Sequence, residues 1–295
     1  MSITSAMFTG VSGLLANAEG INVIGNNLAN VNTVGFKDSR MVFSDMLAAN
    51  IGNGSQIGRG TQIQKVDNVF SQGSFETTGS VTDIALQGNS FFALGKPGGN
   101  AVVNQDKAFL TRAGAFSVDE TLNLVNPDGY QVLDSTGAPI KFFDSGITPP
   151  TAGDFAQITK IDSSGAITYQ DKLGGIFFYS TAGVVGTAAF TANTNAVLAV
   201  VNPPNPSGLE KVGGSLFLVG TNSGVPSAAF SNAAGSVNIA NGTSDKIFSN
   251  SLEQSNVDMA AQFVKMILTQ RAYSANSKTI TTADEMTQEA LNLKR

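Results

Sequence analysis

The spacing of apolar positions changes character twice along this chain. Ile3, Met7, Gly10, Leu14, Asn17, Ile21, Ile24, Leu28 and Val31 alternate at steps of four and three. That is a heptad seam, the period at which one helix face keeps meeting a partner helix. It predicts a helix from Ser2 to about Asn27, capped by Ser2 or Thr4. Gly10, Gly13, Gly20 and Gly25 lie within it, each costing about 1 kcal/mol relative to Ala in a helix interior. Such a helix is marginal alone and needs close packing to persist. Asn17 in the seam would set register if paired.

The stretch Asn26 to Lys37 is rich in Asn, whose short amide competes for local backbone groups and favours caps and turns. Met41 to Leu47 reads as one or two amphipathic helical turns, and Ile51 to Thr61 as a Gly-rich mobile loop. Gln62 to Thr78 alternates weakly at Ile63, Val66, Val69 and Phe75, as an extended arm or strands would.

From about Val81 short β runs alternate with turn residues. Asp83 to Leu94 reads as strand, turn at Gly88-Asn89, and strand. Phe109 to Arg112 leads to Phe116 to Val118, and Asp119-Glu120-Thr121 turns the chain into Leu122 to Val125 as a hairpin. Asn126-Pro127-Asp128-Gly129 precedes Tyr130 to Leu133, and Asp162 to Gly165 joins Ile158 to Ile161 with Ala166 to Tyr169. Ile176 to Tyr179, Ala196 to Val201 and Ser215 to Val219 complete the set. Strands this short argue for an antiparallel sandwich or barrel rather than βαβ units.

Helical spacing returns near Asn256 and runs to Leu293, with Val257, Ala261, Val264, Leu268, Ala275, Thr279, Met286, Ala290 and Leu293 as its stripe. Ser255 to Asp258 matches a capping box. Asp258 at the start and Lys294 and Arg295 at the end suit the macrodipole. A run this long without Gly or Pro predicts a coiled coil.

The expected fold is therefore α+β. A discontinuous helical coiled-coil domain is expected from residues 1–30 and 255–295, with an extended arm over 31–78. A β-rich domain of sandwich or barrel type is expected over 79–250, with room for a small insertion near 142–179.

Composition narrows the function. Charged residues are 13% of the chain, about half the usual quarter, so its surface is neutral and polar or covered by other subunits. Net charge is −5, with no Lys/Arg cluster, which argues against nucleic acid and anionic membranes as partners. The chain has no Cys, His or Trp, so disulfides, thiolates, zinc sites and His-based triads are out of reach. No Lys or Arg precedes Lys37, and polar residues break the first apolar span. Neither a cleaved secretion signal nor a membrane helix is expected. Asp83, Asp106, Asp119, Glu120, Asp128, Asp134, Asp144, Asp154 and Asp162 fall mostly at turns, where they suit Asx-turns better than a carboxylate catalytic pair. Asp162 to Gly165 lacks the further ligands of a calcium loop. No cofactor is implied. By residues alone the helix seams could be internal, intermolecular or membrane-surface, the last disfavoured by the lack of cations. The chain reads as a structural or assembly protein, with an adhesin on a helical stalk or a carboxylate enzyme as other classes.

Two stretches carry a resemblance. Ser5 to Leu14 with Gly25 to Lys37, and Leu252 to Met259 with Gln270 to Tyr273 and Ile280 to Met286, closely resemble the bacterial flagellar axial proteins of the rod and hook. Leu86 to Phe92, Thr111 to Asp119 and Gly129 to Leu133 resemble that family's first β-domain. Phe8 to Gly13, Val42 to Asp45 and Asn292 to Arg295 look more hook-like, although the compact length also suits the distal rod. The resemblance implies inner helices that line a channel in a helical homopolymer, with the β-domain outside. As a hook subunit the chain would form a flexible universal joint passing torque from rod to filament. It would be exported without a cleaved signal through the flagellar type III apparatus to an extracellular place in the flagellum. Its implied partners are copies of itself, that apparatus, the hook cap, and the distal rod and hook–filament junction proteins. The implied assembly residues are Ile3, Met7, Leu14, Ile21, Ile24, Leu28, Val257, Ala261, Val264, Leu268, Ala275, Met286 and Leu293. Gly25, Asn26, Asn27, Asn30, Asn32, Gly35 and Phe36 form the motif at the junction between the layers.

Overall fold

A computed structural model describes residues 3–52, 55–99, 101–102, 104–147, 149–181, 183–189, 196–230 and 245–293. Ser2, Lys294 and Arg295, expected as cap and macrodipole partners, lie outside the described residues. The fold is α+β, with a long helix near each end of the chain and a β-rich middle. It divides into two compact units, one of Met1–Val31, Lys37–Val69 and Val257–Arg295, the other of Asn32–Phe36 and Phe70–Asn256.

The first unit pairs α1 (Ile3–Ala29) with α2 (Met259–Asn292). Gly10 lies against Ile280, Gly13 against Asn276 and Gly20 against Thr269, so the two helices run antiparallel. Asp258 is the cap of α2, its carboxylate accepting the N–H groups of Ala260 and Ala261. The expected box opening at Ser255 is thus replaced by a cap three residues later, where a carboxylate reaches the first free N–H groups.

Met41 to Leu47 is not helical. Met41 to Asp45 lie in β1 (Ser39–Asp45) and Met46 and Leu47 follow it; next come β2 (Ala49–Gly52), β3 (Ser55–Ile57) and β4 (Thr61–Asn68). β1 pairs antiparallel with β4 from Ser39↔Asn68 to Asp45↔Thr61, with a bulge at Val42/Phe43. A two-turn helix would leave most of its terminal N–H and C=O groups unpaired, whereas the ladder satisfies them and suits Val42 and Phe43. β2 pairs with β3, so the expected Gly-rich loop carries a hairpin. Residues 31–78, expected as one arm, are divided: 37–69 belong with the helices, and 32–36 and 70 onward with the β-rich unit.

The second unit contains β5 (Phe75–Thr77), β6 (Ile84–Gln87), β7 (Phe91–Gly95), β8 (Phe109–Thr111), β9 (Ser117–Val118), β10 (Leu124–Val125) and β11 (Gln131–Val132). It continues with β12 (Phe155–Ile161), β13 (Ile167–Asp171), β14 (Ile176–Phe178), β15 (Val200–Val201), β16 (Leu209–Gly213), β17 (Leu216–Val219), β18 (Lys246–Ser249) and β19 (Ser251–Glu253). Its largest sheet runs β16-β17-β8-β7-β11-β10-β9, with β15 also on β7. The expected hairpins are present as β9–β10, β10–β11 and β12–β13. Asn126 Oδ1 accepts the Tyr130 N–H at 2.7 Å, and Gly165 turns at φ +84°. β6 and β7, adjacent in sequence, do not pair; β6 takes β18 instead.

β7 is buried along its whole length, and alternate side chains serve two clusters. Phe92 and Leu94 join Ile84, Leu124, Phe142, Ile167 and Tyr169. Phe91 and Ala93 join Leu110, Leu209, Phe217 and Phe230. A strand buried on both faces reads as a continuous apolar run, as Phe91 to Leu94 does. The span 142–179 forms the three-stranded sheet β12-β13-β14. Phe142, stacked on Phe155 at 4.4 Å, ties it to the first cluster rather than to a separate core.

Candidate assembly surface

The line of α1 most removed from solvent is Gly10, Gly13, Ala16, Gly20, Ile24 and Asn27. All but Ile24 and Asn27 are Gly or Ala, and space explains why. A Cβ on Gly13 would stand 2.7 Å from Asn276 Nδ2, and one on Gly10 2.9 Å from Ile280 Cγ1. The glycines that weaken the isolated helix let its backbone approach α2. Of the expected seam, Gly10 and Ile24 are on this line, while Met7, Leu14, Asn17, Ile21 and Leu28 flank it half-buried. The side chain of Ile3 lies outside the described residues.

On α2 the positions turned from solvent are mostly short or polar, Gln262, Thr269, Ala272, Asn276, Ser277, Ala283 and Thr287, with Met266 and Ile280 as larger apolar side chains among them. Just ahead of the helix Val257 is buried, and at its start Ala261 is half-buried. The expected stripe of Val264, Leu268, Ala275, Met286 and Leu293 forms one coherent face, but an exposed one. Leu268 is 61% exposed and Val264 58%. α1 does the same on a smaller scale: Phe8, Val11 and Leu15, spaced three and four apart, are exposed, Phe8 at 74%. Phe263 and Ile267, exposed one turn to the side, flank this face of α2. Each helix thus leaves large apolar side chains in water. No helix is long and apolar enough to cross a membrane among the described residues.

The Asn-rich motif works through specific bonds. Asn27, buried, donates from Nδ2 to the Ser39 carbonyl at 2.7 Å and accepts the Ser39 N–H at 3.0 Å, acting as a strand partner for the start of β1. Asn30 Nδ2 donates to the Asn26 carbonyl at 2.8 Å and closes the end of α1. Gly25 has open space beside its Cα, and Asn26 and Asn32 are exposed. Gly35, at φ +68°, could not carry a Cβ, which would lie 2.4 Å from the Ala113 nitrogen. Phe36 is buried with the Lys211 ammonium 3.9 Å over its ring.

The turn carboxylates bind backbone. Asp119 accepts the Thr121 and Asn123 N–H groups, Asp134 those of Thr136 and Ala138. Asp154 accepts N–H and O–H donors from Ser145 and Thr151. Burial alone would raise the Asp154 pKa; these donors outweigh it and hold the carboxyl at about 2. Burial raises Asp134, which also accepts the Tyr179 hydroxyl at 3.2 Å. Such groups fasten turns. The pair that sequence reasoning missed is Arg112 with Glu253, an ion pair at 3.3 Å and buried on both sides. Its signal is a charged residue inside each of two apolar-flanked stretches, Thr111 to Phe116 and Leu252 to Val257.

Three family profiles match this chain. Residues 7–37 match the flagella basal body rod protein family, 85–169 the flagellar hook protein FlgE/F/G D1 domain, and 249–293 the flagellar basal body rod FlgEFG protein C-terminal family. The flagellar basal-body rod protein FlgG of Bacillus subtilis is 36% identical over 302 residues, covering 98% of this chain and 99% of that one. The chain belongs to the flagellar rod and hook family. FlgG of Caulobacter vibrioides is 32% identical over 98% of this chain and 99% of its own. The flagellar hook protein FlgE of Treponema pallidum is 41% identical over 134 residues, 41% of this chain and 27% of that one. This family is structural rather than enzymatic, and the chain is a flagellar axial structural subunit.

Proposed function

We propose that the chain is a rod-type subunit of the flagellar basal body that assembles as a homopolymer through α1 and α2. The reading is carried by colinearity: the rod proteins of Bacillus subtilis and Caulobacter vibrioides match essentially end to end. The hook subunit expected from the first and last motifs is the second reading, favoured by the higher but local identity to the hook protein of Treponema pallidum. In either case the exposed face of Phe8, Val11 and Leu15 on α1, and of Val264, Leu268 and Met286 on α2, supports packing between copies. The helices are then the inner, coiled-coil layer of a tube, and the β-rich unit its outer wall. Export through the flagellar type III apparatus, and end contacts with neighbouring rod, cap and junction proteins, follow from this reading.

Electron microscopy of polymer grown from the full chain tests it. Straight, stiff tubes are expected of a rod subunit. Curved, bendable tubes would transfer the chain to the hook, and a strictly monomeric chain would overturn both readings.

A further inference from the structure

The β-rich unit is joined to the rest of the chain at four points, after Val31, Phe36, Val69 and Asn256. Within the unit, the three segments that carry those connections converge on one buried ion pair. Glu253 Oε2 meets Arg112 Nη1 at 3.3 Å, and both side chains are almost wholly buried, at 0% and 2% exposure. The same Arg112 donates from Nη1 to the Leu86 carbonyl at 3.2 Å and from Nη2 to that of Gly88. Its guanidinium also lies 4.9 Å over the ring of Phe91. Arg112 is thereby bonded to β6, to the turn after it, and to the first residue of the central strand β7.

Each connecting segment is in turn bonded to Glu253 or its neighbours. From the first segment, the Gly35 N–H donates to the Glu253 carbonyl at 2.8 Å. Gly35 also sits so close to Arg112 and Ala113 that only glycine fits. From the second, the Gly73 N–H donates to Glu253 Oε1 at 2.9 Å, and Gln72 bonds the Leu86 carbonyl and the Gly88 N–H. In the third, the Gln254 N–H donates to the Ser74 carbonyl at 2.8 Å, and Asn256 Nδ2 donates to Ser71 Oγ at 2.9 Å. A buried ion pair gives little net stability, yet removing one partner leaves an uncompensated charge. Retaining one where three distant segments meet is therefore explained better by what it orders than by what it stabilises.

We propose that Arg112 and Glu253 form a clamp that makes the four connections and the large sheet one mechanical body, so that tension or twist on any connection is delivered to β6 and β7. The clamp serves a rod or a hook equally, and its test needs no polymer. Amide exchange of the full chain in solution, followed by NMR, reads it directly. In the unaltered chain the Gly35, Gly73 and Gln254 amides should be protected to within about tenfold of Ala93 and Leu133 in the sheet. Faster exchange than that would mean that the connections open independently, which overturns the clamp.

Glu253→Gln keeps the side-chain volume and an acceptor for Gly73 while removing the charge. It should speed exchange at Gly35, Gly73 and Gln254 by about tenfold or more, and at Ala93 and Leu133 by less than about twofold. An equal acceleration at all five amides would show general destabilisation, and no change would show an idle pair; either result rejects the proposal. Should the variant fail to fold, the protection ratio in the unaltered chain decides alone.

Discussion

In the β-rich unit Phe91, Phe92, Leu94, Leu110 and Phe217 are fully buried, while in the helical unit Phe8, Leu15, Val264 and Leu268 stand largely in water. The helical unit is nonetheless built with care. Its glycines meet Ile280, Asn276 and Thr269 at contact distance, and Asn27 holds β1 in register. The difference lies in where the large apolar side chains go. β7 sends them to two internal clusters, whereas α2 turns Met266 and Ile280 inward but leaves Phe263, Val264, Ile267 and Leu268 exposed. One unit has completed its core within the chain. The other leaves large apolar side chains of both helices in water, which supports the proposed packing between copies.

The sharpest way to break this comparison is to charge the outward face of α2. Val264→Glu with Leu268→Glu should abolish polymer seen by electron microscopy and leave the thermal unfolding of the β-rich unit unchanged. Normal tubes from that variant would mean the exposed stripe is not an interface. The converse change lies in the closed core. Phe217→Ala removes a fully buried ring that meets Phe70 and Phe91 edge-on, and should destabilise the β-rich unit by about 3–5 kcal/mol in urea titrations. A loss below about 1 kcal/mol would show that this core is loosely packed.

Gly13→Leu tests the helix pair itself. Overpacking against Asn276 should cost roughly 1–3 kcal/mol and lower helicity by far-ultraviolet circular dichroism, with tyrosine signals of the β-rich unit unaltered. Unchanged helicity would mean that α1 does not need its close approach to α2. The smallest effect is a pH dependence confined to the β-rich unit. Asp154 has its folded pKa depressed from 3.8 to about 2. Its contribution is therefore complete above the unfolded value and lost as pH falls from about 3.8 toward 2. Asp154→Asn should flatten the stability profile across that window only. A profile that keeps its slope would assign acid sensitivity to other groups.

Much of the architecture is legible without coordinates because period and turn chemistry are local. Ile3 to Ala29 and Met259 to Asn292 declare themselves by helical spacing, and the β10–β11 and β12–β13 hairpins by Asn126 to Gly129 and Asp162 to Gly165. Other elements are invisible for an equally physical reason. β16, β18 and β19 are short and polar, and β18 and β19 gain their meaning only by pairing with β6 and β5 far away in the chain. Met41 to Asp45 misleads because its amphipathicity fits a helical turn as well as a strand, and only the distant partner Thr61 to Asn68 decides between them. The exposed apolar face of α2 is half legible. Val264, Leu268, Met286 and Leu293 announce one stripe, but spacing alone cannot say whether α1 or solvent lies opposite.

By itself, then, the amino-acid sequence determined that this protein has one glycine-marked and one glycine-free terminal helix around a β-rich middle, and that it lacks the Cys and His side chains for zinc sites or His-based triads. Those are statements about composition and near neighbours, which the chain carries at every point. Only the tertiary structure decided which helix face is inward, because that depends on how close α1's glycines let α2 come. It alone brought Gly35, Gly73, Arg112 and Glu253 together, since four residues drawn from separate stretches have no common pattern until the chain has folded.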